Sequence, residues 1–122
     1  MPETLSIDMH TREEEKLHLF VLHGDLDVAT SPALRAALVE AASSGKHDLI
    51  VDLSNLEFLD STGLGALIGA NKRAKEQGGE VRLITQEGQI LRLLRITGLL
   101  DIFRVYLTTD DALNDNARLV GL

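Results

Sequence analysis

The sequence predicts an α/β fold, with a mixed, mostly parallel sheet of about five strands, an N-terminal β-hairpin and about four helices. Two apolar segments near the N-terminus alternate with polar neighbours on both sides of a charged turn. Apolar runs of strand length then alternate with amphipathic segments of helical length. With 122 residues, 44% of them hydrophobic, we expect one domain over residues 1–122, ordered from roughly 4 to 117.

The first third of the chain predicts the hairpin and one helix. The alternating apolar positions of the two strands are Leu5, Ile7 and Met9, then Leu17, Leu19 and Val21. Residues 11–15 form the charged turn between them, and residues 24–27 are expected to form a loop. Ser31 as N-cap and Pro32 as first helical residue then open a helix, which Gly45 is expected to stop.

The middle of the chain predicts a buried strand and a long helix. Residues 48–53 are apolar at their centre, as in a strand covered on both faces, and a short loop containing Leu56 and Phe58 follows. A helix opens near Ser61 and ends at residues 78–79, both glycines. Its expected core-facing residues are Leu64, Leu67, Ile68 and Ala74.

The last third adds two strands and two helices. Residues 81–84 and 102–106 are the strands, and residues 87–96 are a helix stopped by Gly98. The expected core-facing residues of that helix are Ile90, Leu93 and Leu94. A final helix is expected to be capped by Thr109.

Acidic and hydroxyl side chains follow two of the predicted strands. Asp25 and Asp27 follow the second, and Asp60 and Ser61 follow the third. Ligand and partner sites gather at the carboxyl ends of parallel strands, and the first amides of a helix favour an anion on Ser61 or Thr62. By propensity alone, Asp60 and Ser61 are most simply a helix cap, and Asp25 and Asp27 turn residues.

Composition excludes several partners. The net charge of −7 and pI of about 4.9 argue against nucleic acid and anionic membranes, which attract basic surfaces. Cysteine is absent, so there is no thiolate nucleophile and no disulfide. No basic leader and no apolar run of about 18 residues is seen, and we expect a cytoplasmic protein.

The motifs do not predict catalysis by this chain. Ser61 lacks the flanking glycines of a nucleophile elbow, and all four histidines precede it: His10, His18, His23 and His47. Glycines at 63, 65 and 69 do not match a dinucleotide loop; Gly65 and Gly69 are better explained by close backbone approach to the sheet or another protein. There is no P-loop and no metal-ligand spacing. We expect no enzyme, no catalytic residue, no cofactor and no metal.

Four segments carry a resemblance to a known family. Residues 48–53, DLIVDL, and 58–65, FLDSTGLG, closely resemble the signature of the STAS-domain anti-sigma factor antagonists, the bacterial anti-anti-sigma factors. Residues 24–27, GDLD, look like the Gly-Glu-Leu-Asp loop of that family with Asp25 in place of the commoner Glu, and residues 95–99 look like its late helix-to-strand turn. The resemblance covers nearly the whole chain and implies a single STAS domain.

The resemblance implies a phosphorylation switch at Ser61. In that family the unphosphorylated antagonist binds an anti-sigma factor that is also a GHKL-type serine kinase, and so frees the sigma factor. Phosphorylation dissociates the pair, and a metal-dependent serine phosphatase resets the cycle. The expected partner-facing residues are Asp25, Asp27, Asp60, Thr62, Gly63, Leu64 and Gly65. A STAS scaffold or adaptor in a larger regulatory assembly, or a small-ligand-binding module, is the alternative; the oligomeric state, monomer or weak dimer, stays open.

Overall fold

The computed structural model describes residues 5–45 and 48–121. Residue 4, at which the expected ordered core begins, and His47 lie outside these ranges. The strands are β1 (Leu5–Arg12), β2 (Leu17–Leu26), β3 (Asp48–Leu59), β4 (Glu80–Ile84) and β5 (Arg104–Tyr106). The helices are α1 (Ser31–Ala42), α2 (Ser61–Glu76), α3 (Gln89–Ile96) and α4 (Thr109–Asn114), with a short 3-10 turn at Leu99–Asp101.

The strands form one sheet in the order β1-β2-β3-β4-β5. β1 pairs with β2 in antiparallel fashion, and the other neighbouring pairs are parallel. The predicted fold class is therefore confirmed: a hairpin opens a mixed, mostly parallel sheet of five strands with four α-helices in the described part of the chain. The strands β2, β3 and β4 end at one edge of this sheet, which is the edge that carries the site.

Both faces of the sheet are covered by helices. The main cluster joins one face, for example Val51 of β3, to buried leucines of α1, α2 and α3. Ile50, whose side chain points to the opposite face, packs with Tyr106 and with Ala112 of α4. This core is almost wholly aliphatic, as expected from an aromatic content of 3%.

Two strands are longer than predicted. Gly24 to Leu26 belong to β2 rather than to a loop, and β3 runs through Leu56 and Phe58 to Leu59. The two strands stay paired in parallel to their ends through two register shifts, one of them just after Gly24, whose φ is +99°. Each shift breaks the alternation of apolar and polar residues, so the sequence pattern stops indicating a strand while the strand continues.

Several predicted helix and strand ends were also wrong. The N-cap of α1 is Thr30, because the Ser31 hydroxyl instead donates to the carbonyl of Asp27, 2.5 Å away. The N-cap of α4 is Thr108, whose Oγ1 accepts a hydrogen bond from a backbone amide within that helix. The helix α3 begins at Gln89 instead of residue 87. The strand β5 begins at Arg104 instead of residue 102, because a 3-10 turn at Leu99–Asp101 follows Gly98.

One predicted core position is wrong. On α3, Leu94 is buried and Ile90 and Leu93 are half-buried and pack against the core cluster, as predicted, and Leu91 is buried as well. On α2, Leu64, Leu67 and Ala74 are buried as expected, but Ile68 is exposed. The cause on α2 is that Asn71 is buried in its place and accepts a hydrogen bond from the amide of Val81 in β4.

Candidate functional site

Ser61 lies at the first position of α2, two residues after the last residue of β3. Asp60 is the N-cap, and its Oδ1 accepts a hydrogen bond from the amide of Gly63 at 2.9 Å. The carbonyl of Asp60 accepts from the amide of Leu64 at 3.0 Å, so the helix is regular from its first turn. Ser61 and Thr62 are both exposed. The predicted hydroxyl at a helix N-terminus is therefore present and open to solvent.

Asp60 also fixes the turn that follows β2. Its Oδ2 accepts a hydrogen bond from the amide of Val28 at 3.2 Å, and its own amide donates to the carbonyl of Leu26 at 3.2 Å. One carboxylate thus satisfies an amide in each of two segments. The turn after β2 and the start of α2 form one continuous surface at the carboxyl ends of the strands.

The carboxylate of Asp27 builds the turn itself. Its Oδ1 accepts hydrogen bonds from the amides of Ala29 and Thr30, at 2.9 and 3.0 Å. The hydroxyl of Thr30 in turn donates to the carbonyl of Asp25 at 2.8 Å. These bonds fix the half-buried Asp27 and the carbonyl of Asp25 in the segment that Asp60 also holds. The Asp-x-x-Thr spacing, typical of a side chain that closes a turn, was the signal for Thr30 that the sequence analysis missed.

Gly63 is the glycine that permits close packing at this edge. A Cβ on Gly63 would lie 2.8 Å from side-chain carbons of Leu26 and Leu59. The predicted close approach of Gly65 and Gly69 to the sheet was wrong: a Cβ on Gly65 meets nothing within 4 Å, and one on Gly69 meets only the end of the Arg73 side chain. Gly63 therefore fits the helix against the strand ends, while Gly65 leaves a bare stretch of backbone facing outward.

Two apolar side chains lie exposed around the acidic residues. Val28 is 70% exposed and Phe58 is 51% exposed. Val28 belongs to the turn held by Asp60, and Phe58 is paired with Asp25 in the sheet. The sequence analysis placed neither of them in the site, because exposure of an apolar side chain cannot be read from its type. Leu64, predicted to face a partner, is instead 7% exposed and belongs to the core cluster.

Two histidines of the described residues contact groups on the hairpin and on the turn after α1. His18 lies near the start of β2, where its two ring nitrogens are 3.0 Å from the hydroxyls of Thr11 and Ser44. His23 lies 3.5 Å from Asp8 on the hairpin. Over residues 5–45 and 48–121 there is no cluster of three metal-binding side chains. Within the same ranges, no helix is long and apolar enough to cross a membrane.

Comparison with protein-family models decides the family. The model of the STAS domain matches residues 8–112. The chain belongs to the STAS domain family. The match includes β2, β3 and the start of α2, so the site described above lies within the STAS domain.

Curated relatives and solved structures agree with this family. The chain is 36% identical over 101 residues to the anti-sigma-B factor antagonist of Bacillus subtilis, covering 83% of this chain and 92% of that protein. It is 33% identical over 101 residues to the protein of the same name in Staphylococcus aureus, covering 83% and 94%. An anti-sigma factor antagonist from Mycobacterium paratuberculosis superposes with a TM-score of 0.82 at 27% identity, over 91% of this chain and 92% of that one.

A further solved structure supports the fold. The Bacillus cell fate determinant SpoIIAA in its phosphorylated form has a TM-score of 0.70 over 90% of this chain and 98% of that one, at 20% identity. The hairpin, the mixed sheet and its covering helices are thus the architecture of a STAS domain.

Proposed function

We propose that this STAS domain is a cytoplasmic anti-sigma factor antagonist that is switched by phosphorylation of Ser61. The observation that carries the proposal is the position of Ser61, exposed at the first residue of a capped helix in a chain whose curated relatives are named anti-sigma-B factor antagonists. In its unphosphorylated form the protein binds an anti-sigma factor, which releases its sigma factor. The anti-sigma factor is a serine kinase of the GHKL type, and a metal-dependent serine phosphatase removes the phosphate.

The site needs only to present the Ser61 hydroxyl, because a kinase carries the groups that transfer the phosphate. The kinase supplies ATP, magnesium and the groups that position the attacking hydroxyl. Ser61 then has only to be exposed and held in one place, and the helix start held by Asp60 does both. For this reason we propose that the chain is not itself an enzyme and needs no cofactor of its own.

Phosphorylation should leave the domain folded. A phosphoserine adds roughly −1.5 to −2 charges. An anion near a helix N-terminus gains about 0.3–1 kcal/mol from the dipole and the unpaired amides there, which offsets repulsion from the carboxylate of Asp60. That carboxylate already accepts two backbone amides, so its place in the fold does not depend on Ser61.

The effect of the phosphate should fall on the partner. The predicted partner-facing residues are Asp25, Asp27, Asp60, Thr62, Gly63, Leu64 and Gly65. We propose that all but Gly63 and Leu64 contact the partner directly; these two are buried and hold the helix beneath that surface. A dianion added among three aspartates would oppose a partner that also holds nucleotide phosphates. Each 1.4 kcal/mol lost at that contact weakens binding about tenfold.

The experiment is a kinase assay with the anti-sigma factor of the source organism. Purified chain, kinase, ATP and magnesium are incubated, and the phosphate is located by mass spectrometry. We expect one phosphate on Ser61, none on a Ser61→Ala variant, and unchanged incorporation in Thr62→Ala, the neighbouring hydroxyl. Recovery from native extract of a large assembly, with no kinase, would instead indicate a STAS scaffold or adaptor.

A further inference from the structure

Strand β3 extends well beyond its neighbour β4. The pairing of the two strands ends where Asp52 lies opposite Ile84, but β3 continues to Leu59. Over that extension β3 is paired only on its other side, with β2. After Ile84 the chain no longer pairs with β3, and the amide of Thr85 donates to the carbonyl of Tyr106 in β5. Residues 53–59 therefore form a free edge in the middle of the sheet.

Within the described residues, no backbone hydrogen bond joins residues 53–59 to the segment that follows β4. The amide of Ser54 donates instead to the side chain of Asp52 at 2.9 Å. At about 3.3 Å per residue, seven residues give an edge of roughly 20 Å. Unpaired amides and carbonyls along such an edge are a template for another strand.

A cleft of about 240 Å³ lies beside the edge, in line with β4. One wall is β3, with Leu53, Ser54, Leu56 and Glu57, and the other is the segment 85–90 that leads into α3. Both apolar and polar residues line the β3 wall. Because that wall is a strand with no paired neighbour on this side, an extended chain is the shape that can bond to its backbone.

The charge around the cleft is acidic. Glu57 and Glu87 both line it, and the Glu87 side chain is 70% exposed. The guanidinium of Arg95 lies 4.0 Å from the Glu87 carboxylate. Beyond the cleft the same strand leads to Asp60, and the whole chain carries a net charge of −7. Electrostatic complementarity therefore favours a basic occupant.

We propose that the free edge of β3 binds an extended, basic segment of the anti-sigma factor by strand addition. Main-chain hydrogen bonds to residues 53–58 would supply the attachment, and the cleft would accept alternate side chains of the added strand. The edge ends at Leu59, two residues before Ser61, so the bound segment would hold the kinase beside its phosphoacceptor. This inference rests on the proposed function and adds a second contact that phosphorylation does not touch directly.

Hydrogen exchange in the complex tests the backbone contact. The wild-type chain is measured alone and bound to the anti-sigma factor of the source organism. We expect amides within residues 53–58 to exchange about tenfold slower or more in the complex, as newly bonded amides do. Amides of β1, the outer edge strand, are the internal control and should not change.

A charge reversal tests the electrostatic part. Glu57→Lys should weaken the complex about tenfold, since one repelled rim charge costs on the order of 1.4 kcal/mol. Glu14→Lys makes the same charge change in the exposed turn at the opposite end of the hairpin and should bind as wild type. Circular dichroism of both variants checks that they are folded.

The outcomes separate this inference from the proposed function. If the wild-type chain does not bind the anti-sigma factor, both are overturned. If it binds and is phosphorylated at Ser61 while residues 53–58 exchange at their free rate, the function stands and strand addition is overturned. If those amides are protected and only Glu57→Lys loses affinity, the edge is the docking site.

Discussion

The carboxylate of Asp60 accepts a hydrogen bond from the amide of Val28, 32 residues earlier in the chain and 3.2 Å away. The other oxygen of the same carboxylate caps α2 through the amide of Gly63. Asp60 therefore makes one rigid surface of two separate segments, and the phosphoacceptor follows it directly in the chain. The first role of Asp60 is thus to hold these two segments together through its hydrogen bonds.

Asp60→Ala should destabilise the fold and disorder the site. The change removes a helix cap and leaves two amides unpaired, so we expect a loss of about 1–2 kcal/mol in the free energy of unfolding, measured in urea. Asp60→Asn keeps one accepting oxygen and should lose less than half as much. Equal losses in the two variants would show that the charge, and not the geometry, is what stabilises this surface.

Gly63→Ala should destabilise the domain by about 1–3 kcal/mol. The new Cβ would lie 2.8 Å from carbons of Leu26 and Leu59 and 2.9 Å from the carbonyl oxygen of Leu26, and the backbone cannot yield without breaking the cap. The matched control is Gly65→Ala, where the added methyl meets nothing and alanine is the better helix former. Its stability should be unchanged or higher, while affinity for the anti-sigma factor falls. A stable Gly63→Ala variant would contradict the packing described here.

Phe58→Ala should weaken binding to the anti-sigma factor about tenfold or more. Phe58 is half-exposed beside Asp25, and large apolar side chains at an interface carry much of its affinity. Ile96→Ala is the control, because Ile96 is 75% exposed at the last residue of α3, away from the strand ends. The two affinities are compared by calorimetry. Equal affinities would place the interface elsewhere.

The hydroxyl of Tyr106 should ionise only at unusually high pH. Burial, then its hydrogen bond to Asp115, raises the pKa of Tyr106 to about 12 from the ordinary 10.0. It is the only tyrosine of the chain, so near-ultraviolet absorbance reports it alone. We expect a titration midpoint near 12 in the folded protein and near 10 in urea. Asp115→Asn should lower the folded midpoint, because it removes the negative charge that opposes the phenolate.

The raised pKa of Tyr106 also sets a window of pH-dependent stability. The folded protein holds the neutral phenol more tightly than the unfolded chain, so this stabilisation is complete below pH 10 and is lost as the pH rises from 10 through about 12. Melting temperatures over this range should fall more steeply for wild type than for Tyr106→Phe. Parallel curves would mean that Tyr106 is not held as described.

The sequence predicted the order of elements and the position of Ser61, because helical periodicity and capping residues are local signals. It did not predict the full length of β2 and β3, since the register shift after Gly24 interrupts the alternation that identifies a strand. It also named Gly65 and Gly69, and not Gly63, as the glycines that allow close backbone approach. That distinction depends on Leu26, which is distant in the chain and reaches α2 only in the fold.

The central claim is that Ser61 is a switch whose effect is felt by the partner and not by the fold. The measurement is the affinity of Ser61→Asp for the anti-sigma factor, with urea unfolding of the same sample and Ser61→Ala as control. We expect Ser61→Asp to bind at least tenfold more weakly than wild type, Ser61→Ala to bind as wild type, and all three to unfold within about 0.5 kcal/mol of one another. Wild-type affinity in Ser61→Asp, or a loss explained by its unfolding, would contradict the account.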